Sequence, residues 1–322
     1  MKFSVIIPVY NRPDEMEALL ESLSRQTAPG CFEVVAVDDG STEPCGDICA
    51  RYPFVRYYWK TNEGRSIARN YAMERATGDY FIFFDSDCII PPDYFATLLA
   101  ASPLPDCFGG PDAAHESFST LQKGINFAMT SFLTTGGIRG GKVSLEKFTP
   151  RTFNMGFSRK VYERVGGFRE MFSEDIDMSM RIRREGFGME LIREASVYHA
   201  RRMSWRKFAR QVYVFGMSRI TLKTLYPGSL KAVHCLPALF LVGSLMLILA
   251  GISVSPWWLL PLGVYASALF VSALVSDGLK VAIYAVPASF IQLWGYGAGF
   301  IKAMITGRNA AAEIEIRKGA NE

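Results

Sequence analysis

Four small groups of residues in this chain have side chains suited to chemistry. In Val-Val-Ala-Val-Asp-Asp-Gly-Ser, Asp38 and Asp39 stand at the end of an apolar run. Carboxylates at that point can accept hydrogen bonds from a base N–H or from ribose hydroxyls, although an ordinary Asp-Gly turn uses the same residues. In Phe-Ile-Phe-Phe-Asp-Ser-Asp-Cys, Asp85 and Asp87 are two apart, so on an extended segment they point the same way. Two hard oxygen ligands at that spacing suit Mg²⁺ or Mn²⁺, ions that also take phosphate oxygens and neutralise a departing diphosphate. An acidic surface loop has the same composition. Glu174, Asp175 and Asp177 crowd four positions in Phe-Ser-Glu-Asp-Ile-Asp-Met. Acids at a helix start complement its dipole, but three exceed what a cap requires, and one can serve as a general base toward an acceptor hydroxyl. His199 is one of three histidines. It is either a satisfied structural residue or a third metal ligand brought to Asp85 and Asp87 from a distant segment. Arg69 offers a charge to offset phosphate. No Ser/His/Asp or Cys/His nucleophile arrangement competes.

These groups need a scaffold, and the first ninety residues alternate strand and helix patterns. Strands are expected over 3–9, 32–37, 54–59 and 80–84, with helices over 13–26 and 67–76 between them and Gly78 as a stop. Such alternation implies βαβ units in a mostly parallel sheet, whose ligands bind at the carboxyl ends of the strands, where the acids lie. Gly109-Gly110, Gly136-Gly137 and Gly140-Gly141 read as loops near a site. A short strand and a helix follow over 154–168 with a Gly166-Gly167 stop, and a second helix is expected over 176–185, just after the acidic cluster, with Gly186 ending it.

The rest of the chain differs sharply. After Glu194 the next acid is Asp277. His199 to His234 holds eight Lys/Arg, whereas Cys235 to Ser276 has no charged residue. Residues 235–254 and 259–276 are each long enough to span about 30 Å of hydrocarbon. A third run, 281–301, is weakened by Pro287, Gly295, Gly297 and Gly299. Pro256-Trp257-Trp258 reads as a turn with aromatic interface anchors. The basic approach to the first run places the N-terminal domain on the cytoplasmic side. Three spans would put Lys302, Arg308, Arg317 and Lys318 outside, against the positive-inside tendency, so two spans with a re-entrant segment and three spans both stay open. Arg201, Arg202, Arg206, Lys207, Arg210, Arg219 and Lys223, with Trp205, Phe208, Tyr213 and Phe215 between them, describe a basic aromatic helix suited to a headgroup layer.

Composition closes off other classes. With 322 residues, 49% apolar, 20% charged and a net charge of +4, the chain is neither disordered nor basic enough to indicate nucleic acid. Cys31, Cys45, Cys49, Cys88, Cys107 and Cys235 form no CxxC pair and read as reduced thiols rather than a disulfide framework. The apolar Phe3 to Val9 run is too short for a secretory leader.

In combination and in order, Ile-Ile-Pro-Val-Tyr-Asn-Arg, the Asp-Asp-Gly-Ser turn, Asn-Glu-Gly-Arg-Ser-Ile-Ala-Arg-Asn, Phe-Asp-Ser-Asp-Cys, the 154–168 segment and Ser-Glu-Asp-Ile-Asp-Met-Ser-Met-Arg-Ile-Arg-Arg-Glu-Gly resemble family 2 glycosyltransferases with the GT-A fold, over about residues 3–220. The resemblance implies an α/β catalytic domain (1–200), and the charge and hydropathy pattern adds a basic interfacial segment (201–232), two or three membrane helices (233–305) and a short polar tail (306–322). It implies a nucleotide-diphosphate sugar donor, usually UDP-linked, used with Mg²⁺ or Mn²⁺. Pro8, Tyr10 and Asn11 would line the nucleotide pocket, Asp39 would contact the uracil, and Asp38 would support it or the ribose. Asn62, Gly64 and Arg69 match the segment that closes over the nucleotide. Asp85 and Asp87 match the DXD motif that holds metal and donor. Asp175 matches the catalytic base, with Glu174 beside it, in an inverting transfer.

Two departures stand out. Cys88 replaces a further Asp after the DXD motif, and Arg169 follows Gly167-Phe168 where relatives have Asp, which would suit an anionic acceptor. The implied acceptor is membrane-bound, a lipid-linked glycan of surface polysaccharide assembly, with polyprenyl phosphate as the second candidate. Processive synthesis fits less well, because Gln211 is followed by Val212, Tyr213, Val214 and Phe215 rather than the QxxRW pattern. A non-catalytic nucleotide-sugar binder is the alternative of another class, and the retained Asp85, Asp87 and Asp175 speak against it. A nucleotidyltransferase would carry a Gly-rich basic phosphate loop near its N-terminus.

Overall fold

The protein is described by a computed structural model over residues 1–137, 148–200 and 204–307. Gly140, Gly141, Arg201, Arg202 and the tail from Arg308 lie outside the described residues. The chain divides into two compact units, one of residues 1–115 and 148–200, the other of 116–137 and 204–307. Residues 116–137 fall within the segment expected to be catalytic, yet they group with the C-terminal helices.

Among the described residues the first unit has ten strands: β1 (Phe3–Val9), β2 (Phe32–Asp39), β3 (Val55–Lys60), β4 (Tyr80–Phe83), β5 (Cys88–Ile89), β6 (Cys107–Gly109), β7 (Asp112–Ala113), β8 (Met155–Ser158), β9 (Met189–Leu191) and β10 (Val197–His199). Seven form one sheet in the order β3-β2-β1-β4-β8-β6-β9. Pairings from β3 to β4 are parallel and those flanking β8 antiparallel. β5, β10 and β7 form a second, three-stranded sheet. The helices here are α1 (Pro13–Ser24), α2 (Gly46–Cys49), α3 (Arg65–Arg75), α4 (Tyr94–Ala100), α7 (Arg159–Val165) and α8 (Glu174–Arg184), and the second unit holds α5 (Thr120–Thr130), α6 (Phe132–Thr135), α9 (Trp205–Leu225), α10 (Leu236–Ser253), α11 (Leu260–Asp277) and α12 (Leu279–Thr306).

The central strands read as continuous apolar runs because both sheet faces are covered. Val5 and Ile7 of β1 join Val34 and Ala36 of β2 in a core closed by Met16, Leu19, Leu20 and Leu23 of α1. Ile6, Val35 and Val37 point the other way, onto Ala68, Ala72 and Met73 of α3. Both cores leave the carboxyl ends of β1, β2 and β4 free to carry polar residues.

Three expected boundaries move. β2 continues through Asp38 and Asp39, so the acid pair belongs to the strand rather than to the turn after it. Asp85 and Asp87 do not share an extended segment: the Cys88 N–H donates to the Asp85 carbonyl at 3.1 Å, closing a turn over Ser86 and Asp87. That turn sends the two carboxylates to different partners. The acidic cluster also lies inside helix α8 as its first turn, preceded by Ser173 in the left-handed region at φ 64°.

In the second unit, Ala232–Ser253 and Pro256–Asp277 are each 22 residues long and apolar enough to cross a membrane. The third apolar run is the 28-residue helix α12, with Pro287 inside it. Its Ala288 packs with Ile125 and Ala128 of α5 and with Phe208 and Val212 of α9. Its Ala282 and Ala285 pack with Leu269 and Ala273 of α11. Glycines let α9 and α12 touch backbone to backbone: a Cβ at Gly216 would lie 2.0 Å from the Tyr296 carbonyl oxygen, and one at Gly299 1.9 Å from that of Tyr213.

Candidate active site

At the end of β1, Pro8 is half-buried and Tyr10 is 48% exposed. Asn11 takes φ 51°, a left-handed conformation that asparagine tolerates better than most residues. This turns its amide toward the loop after β2. Its backbone N–H donates to Ser41 Oγ at 2.8 Å, and its Oδ1 accepts from the Thr42 N–H at 2.8 Å. The two strand-end loops are thereby locked together.

The acid pair on β2 splits by strand alternation. Asp38 is fully buried and accepts from the Ser41 N–H at 2.8 Å, the Cys45 N–H at 3.3 Å and the Tyr57 hydroxyl at 2.9 Å. Burial, then the Asp38 charge, pushes the Tyr57 phenol up, so it stays protonated and donating. Asp39 accepts from Lys60 Nζ at 2.9 Å and from the backbone N–H groups of Glu63 at 3.0 Å and Gly64 at 2.8 Å. It thus pins the loop carrying the exposed Asn62. Gly64 enters α3 at φ 103°, where a side chain is strained. A Cβ at Gly40 would meet the Asn62 backbone nitrogen at 2.6 Å.

Arg69 lies at the centre. It is 1% exposed, and its Nη2 donates to Asp85 Oδ1 at 2.7 Å while its Nη1 donates to Glu174 Oε1 at 2.7 Å. Arg65, one turn earlier on α3, adds a second guanidinium to Glu174, at 2.7 Å from Nε and 2.8 Å from Nη2. Burial raises the Glu174 carboxyl, but the two guanidiniums outweigh it and hold the group below its ordinary value, ionised. Arg69 therefore directs its charge at two carboxylates of the protein. Glu174 is an anchor beside the expected base, itself 2% exposed and closed to a substrate proton.

The other two acids of the cluster take different roles. Asp177 is fully buried between Arg181 at 2.9 Å and Arg169 at 3.3 Å. Arg169, expected to face the acceptor, thus has a carboxylate of its own. Asp175 keeps 17% of its side chain exposed. Its Oδ1 accepts the Ile176 N–H at 2.8 Å, and Arg151 Nη1 stands 3.4 Å from its Oδ2. Of the three acids, Asp175 is the most exposed.

Asp87 turns away from Asp85 and meets His199, whose Nε2 is 3.2 Å from Asp87 Oδ1. Asp87, Cys88 and His199 each offer a ligand atom, all within 4.8 Å of one another. The expected set of Asp85, Asp87 and His199 is thus only partly assembled, because Arg69 holds Asp85 elsewhere. Burial, and then the charges of Asp87 and Asp85, push the Cys88 thiol well up. Its Sγ donates to the Phe153 carbonyl at 3.6 Å. A protonated, buried thiol adds little to a hard cation. The carboxylate and imidazole fit Mn²⁺, which accepts both and leaves positions for phosphate oxygens.

Sequence reasoning missed Arg65, Lys60 and Arg151. Arg65 was accessible in principle, since it precedes Arg69 by four positions and shares its helix face. Arg151 precedes β8 in irregular chain and carries no pattern.

Comparison with known proteins gives the family and the fold. The family model for Glycosyl transferase family 2 matches residues 4–166. Succinoglycan biosynthesis protein ExoA of Rhizobium meliloti (strain 1021) is 26% identical over 335 aligned residues, covering 96% of each chain. An uncharacterized glycosyltransferase, YibD, of Escherichia coli (strain K12) is 40% identical over 102 residues, 30% of this chain. The chain spans only 29% of that relative's length and 14% of the similar glycosyltransferase GlyA of Streptococcus pneumoniae serotype 4. Among solved structures, mannosyltransferase PcManGT from Pyrobaculum calidifontis, in complex with GDP-Man and Mn²⁺, superposes with a TM-score of 0.59 at 18% identity, over 96% of this chain and 88% of that one. S. aureus TarS 1–349 in complex with UDP-GlcNAc gives 0.51 at 20% identity, over 96% and 93%. At such identities the likeness is one of fold.

Proposed function

Because the chain belongs to glycosyl transferase family 2, with the GT-A fold in its first unit, we propose that it is an inverting glycosyltransferase. It moves a sugar from a UDP-sugar to a membrane-bound acceptor, a lipid-linked glycan in surface polysaccharide assembly. The observation that carries this reading is the Arg69 bridge. One buried guanidinium holds both Asp85, at the carboxyl end of β4, and Glu174, the residue beside Asp175. That bridge supports reading the carboxyl end of the sheet and the acidic helix as parts of one site.

In this reading the acceptor hydroxyl attacks the anomeric carbon from the face opposite the diphosphate. Asp175 takes the hydroxyl proton as the new C–O bond forms and the bond to the diphosphate breaks, inverting the centre. Asn11, Asp39 and the 61–64 loop shape the nucleotide pocket, with Asp38 beneath it. Asp87 and His199 would hold a divalent ion, Mn²⁺ or Mg²⁺, which supplies a Lewis acid for the departing diphosphate. Membrane attachment rests on α10 and α11, each within a 22-residue apolar segment. The basic helix α9 and the uncharged stretch after it favour a cytoplasmic catalytic domain at the cytoplasmic membrane, with α9 against anionic headgroups. ExoA, similar along almost its whole length, is named for succinoglycan biosynthesis, and a TarS structure holds UDP-GlcNAc. The first name supports a polysaccharide setting and the second a UDP-sugar donor, while the PcManGT structure holds GDP-Man.

A second reading is favoured by Arg151. A guanidinium 3.4 Å from Asp175 would pair with an anionic acceptor oxygen, as polyprenyl phosphate provides, and an ionised phosphate needs no base. The test is UDP release from a panel of UDP-sugars by detergent-purified protein with Mn²⁺, with and without membrane lipid extract, beside Asp175→Asn. Lipid-dependent release lost in the variant supports the hydroxyl acceptor. Release that persists in the variant supports the phosphate acceptor. Tight UDP binding without turnover of any nucleotide sugar overturns both in favour of a non-catalytic binder.

A further inference from the structure

The second sheet of the first unit gathers side chains that are far apart in sequence. β10 pairs antiparallel with β5, placing His199 opposite Cys88, and parallel with β7, placing Val197 opposite Asp112. Two further backbone bonds pin β10: Val197 N–H to the Pro111 carbonyl at 3.1 Å, and Ala200 N–H to the Asp87 carbonyl at 2.9 Å. A Cβ at Gly110 would lie 1.7 Å from the Ala195 carbonyl oxygen, so only glycine permits this approach.

The result is an imidazole held between two carboxylates. Nε2 of His199 faces Asp87 Oδ1 at 3.2 Å, and Nδ1 faces Asp112 Oδ2 at 3.9 Å. The Phe153 ring stacks on the imidazole with centroids 4.7 Å apart and planes 17° from parallel. The Asp112 side chain is fully buried, whereas those of Asp87 and His199 keep 20% and 14% exposure. Asp87 therefore lies on the open side and Asp112 on the closed side. A buried carboxylate behind an imidazole fixes its tautomer and raises the basicity of the far nitrogen.

We infer that Asp112 is a positioning residue for the metal centre: with a divalent cation bound, it holds the His199 proton on Nδ1, so that Nε2 presents its lone pair beside Asp87 to that cation. This rests on the metal reading of Asp87 and His199 above, and it assigns a role to a residue outside that reading. The Phe153 ring sets the plane in which Nε2 points, and Asp112 sets which nitrogen carries the proton. Closure of the 3.9 Å separation by roughly an ångström makes a full hydrogen bond.

The experiment is Mn²⁺ titration followed by electron paramagnetic resonance, with UDP affinity measured alongside, for the native protein, Asp112→Asn, His199→Asn and the double variant. Asp112→Asn should weaken Mn²⁺ binding by about 10–100-fold and leave metal-free UDP affinity unchanged. In the His199→Asn background the same change should have no further effect on Mn²⁺. Nitrogen-15 histidine spectra of the native protein, loaded with UDP and diamagnetic Mg²⁺, should show the His199 proton on Nδ1, a readout that needs no variant. Native protein that fails to bind Mn²⁺ overturns the metal reading and this inference with it. Native binding with Asp112→Asn within about threefold of it, or equal losses in both backgrounds, or a proton on Nε2, overturns the role of Asp112 alone.

Discussion

Arg69 Nη1 lies 2.7 Å from Glu174 Oε1 across 105 residues of chain, and both side chains are 2% exposed. The same guanidinium reaches Asp85 at 2.7 Å. Helix α3, the turn after β4 and the first turn of α8 thus meet at one buried cation. An arginine fits such a junction because its planar fork donates in two directions at once and stays charged when buried. A lysine presents one point charge and cannot span both carboxylates. Arg69→Lys should therefore release Asp85 from Glu174 and lower donor turnover by at least tenfold, while Arg65 keeps part of the hold on Glu174. Steady-state UDP release with a saturating acceptor checks this.

Glu174→Gln should destabilise the first unit more than it alters the chemistry. Breaking a buried ion pair leaves Arg69 partly uncompensated, at a cost of about 3–5 kcal/mol. The sign with pH follows from the carboxyl lying below its ordinary value of 4.5. The stability it contributes is fully present above that value and is lost as pH falls through the lower folded-state pKa. Native protein should therefore lose its advantage over Glu174→Gln in acid, and the two urea midpoints should converge as pH falls below 4.5.

Asp175→Asn should behave in the opposite way. Its side chain is 17% exposed, and its Oδ1 accepts a bond from its own helix; the amide oxygen can keep that bond, so the cost is the lost charge in the first turn, about 0.3–1 kcal/mol. Loss of a general base costs about 10²–10⁴ in rate. Melting temperature and turnover measured on one preparation separate the two acids, since Glu174→Gln moves mainly the first and Asp175→Asn mainly the second.

Why the sequence disclosed some of this and not the rest is physical. β1 and β2 were legible because a strand buried on both faces needs a largely apolar run, and Phe3–Val9 and Phe32–Val37 supply one broken only at Ser4 and Glu33. β5, β7 and β10 have two or three residues each, too few for any periodicity, and they exist only because distant segments pair. That sheet decides which side chains surround His199, so Asp112 could not be found from spacing. The acid cluster was legible as a site, but its division of labour was not. Whether an acid faces an arginine or a substrate depends on Arg65, Arg69, Arg169 and Arg181, which no local pattern assigns. Asp38 and Asp39 look alike in sequence, yet one turns inward to Tyr57 and the other toward the 61–64 loop.

Gly299→Ala and Gly216→Ala should each cost more than an ordinary helix Gly→Ala change, which normally stabilises by about 1 kcal/mol. The added methyl would meet a carbonyl oxygen at 1.9 Å or 2.0 Å, and backbone cannot rotate away as a side chain can. Overpacking of this kind costs about 1–3 kcal/mol or more. Gly243→Ala on α10, which meets nothing within 4 Å, is the matched control. Thermal unfolding in detergent should place both contact variants below native and the control at or above it.

The number of membrane crossings can be decided by where Lys231, Lys280 and Lys302 lie. Helices α10 and α11 leave most of their apolar surface uncovered: only 17% and 11% of their apolar windows are buried. Helix α12 instead covers Ala282, Ala285, Ala288, Ser289, Gln292 and Phe300 within its own unit, packed on α5, α9 and α11. Two crossings would return the chain to its starting side before Lys280, with α12 and Lys302 remaining there. That arrangement would put Lys302 with Arg206, Lys207, Arg210 and Lys231, as the positive-inside tendency requires. Three crossings would separate Lys302 from them. Single cysteines at 231, 280 and 302, in a chain whose six native cysteines are serine, can be probed with a membrane-impermeant maleimide. All three should be protected in intact cells and labelled once the membrane is opened. Labelling of position 302 alone from outside would establish a third crossing, and labelling of 280 from outside with 231 protected would show that one of the two helices does not cross.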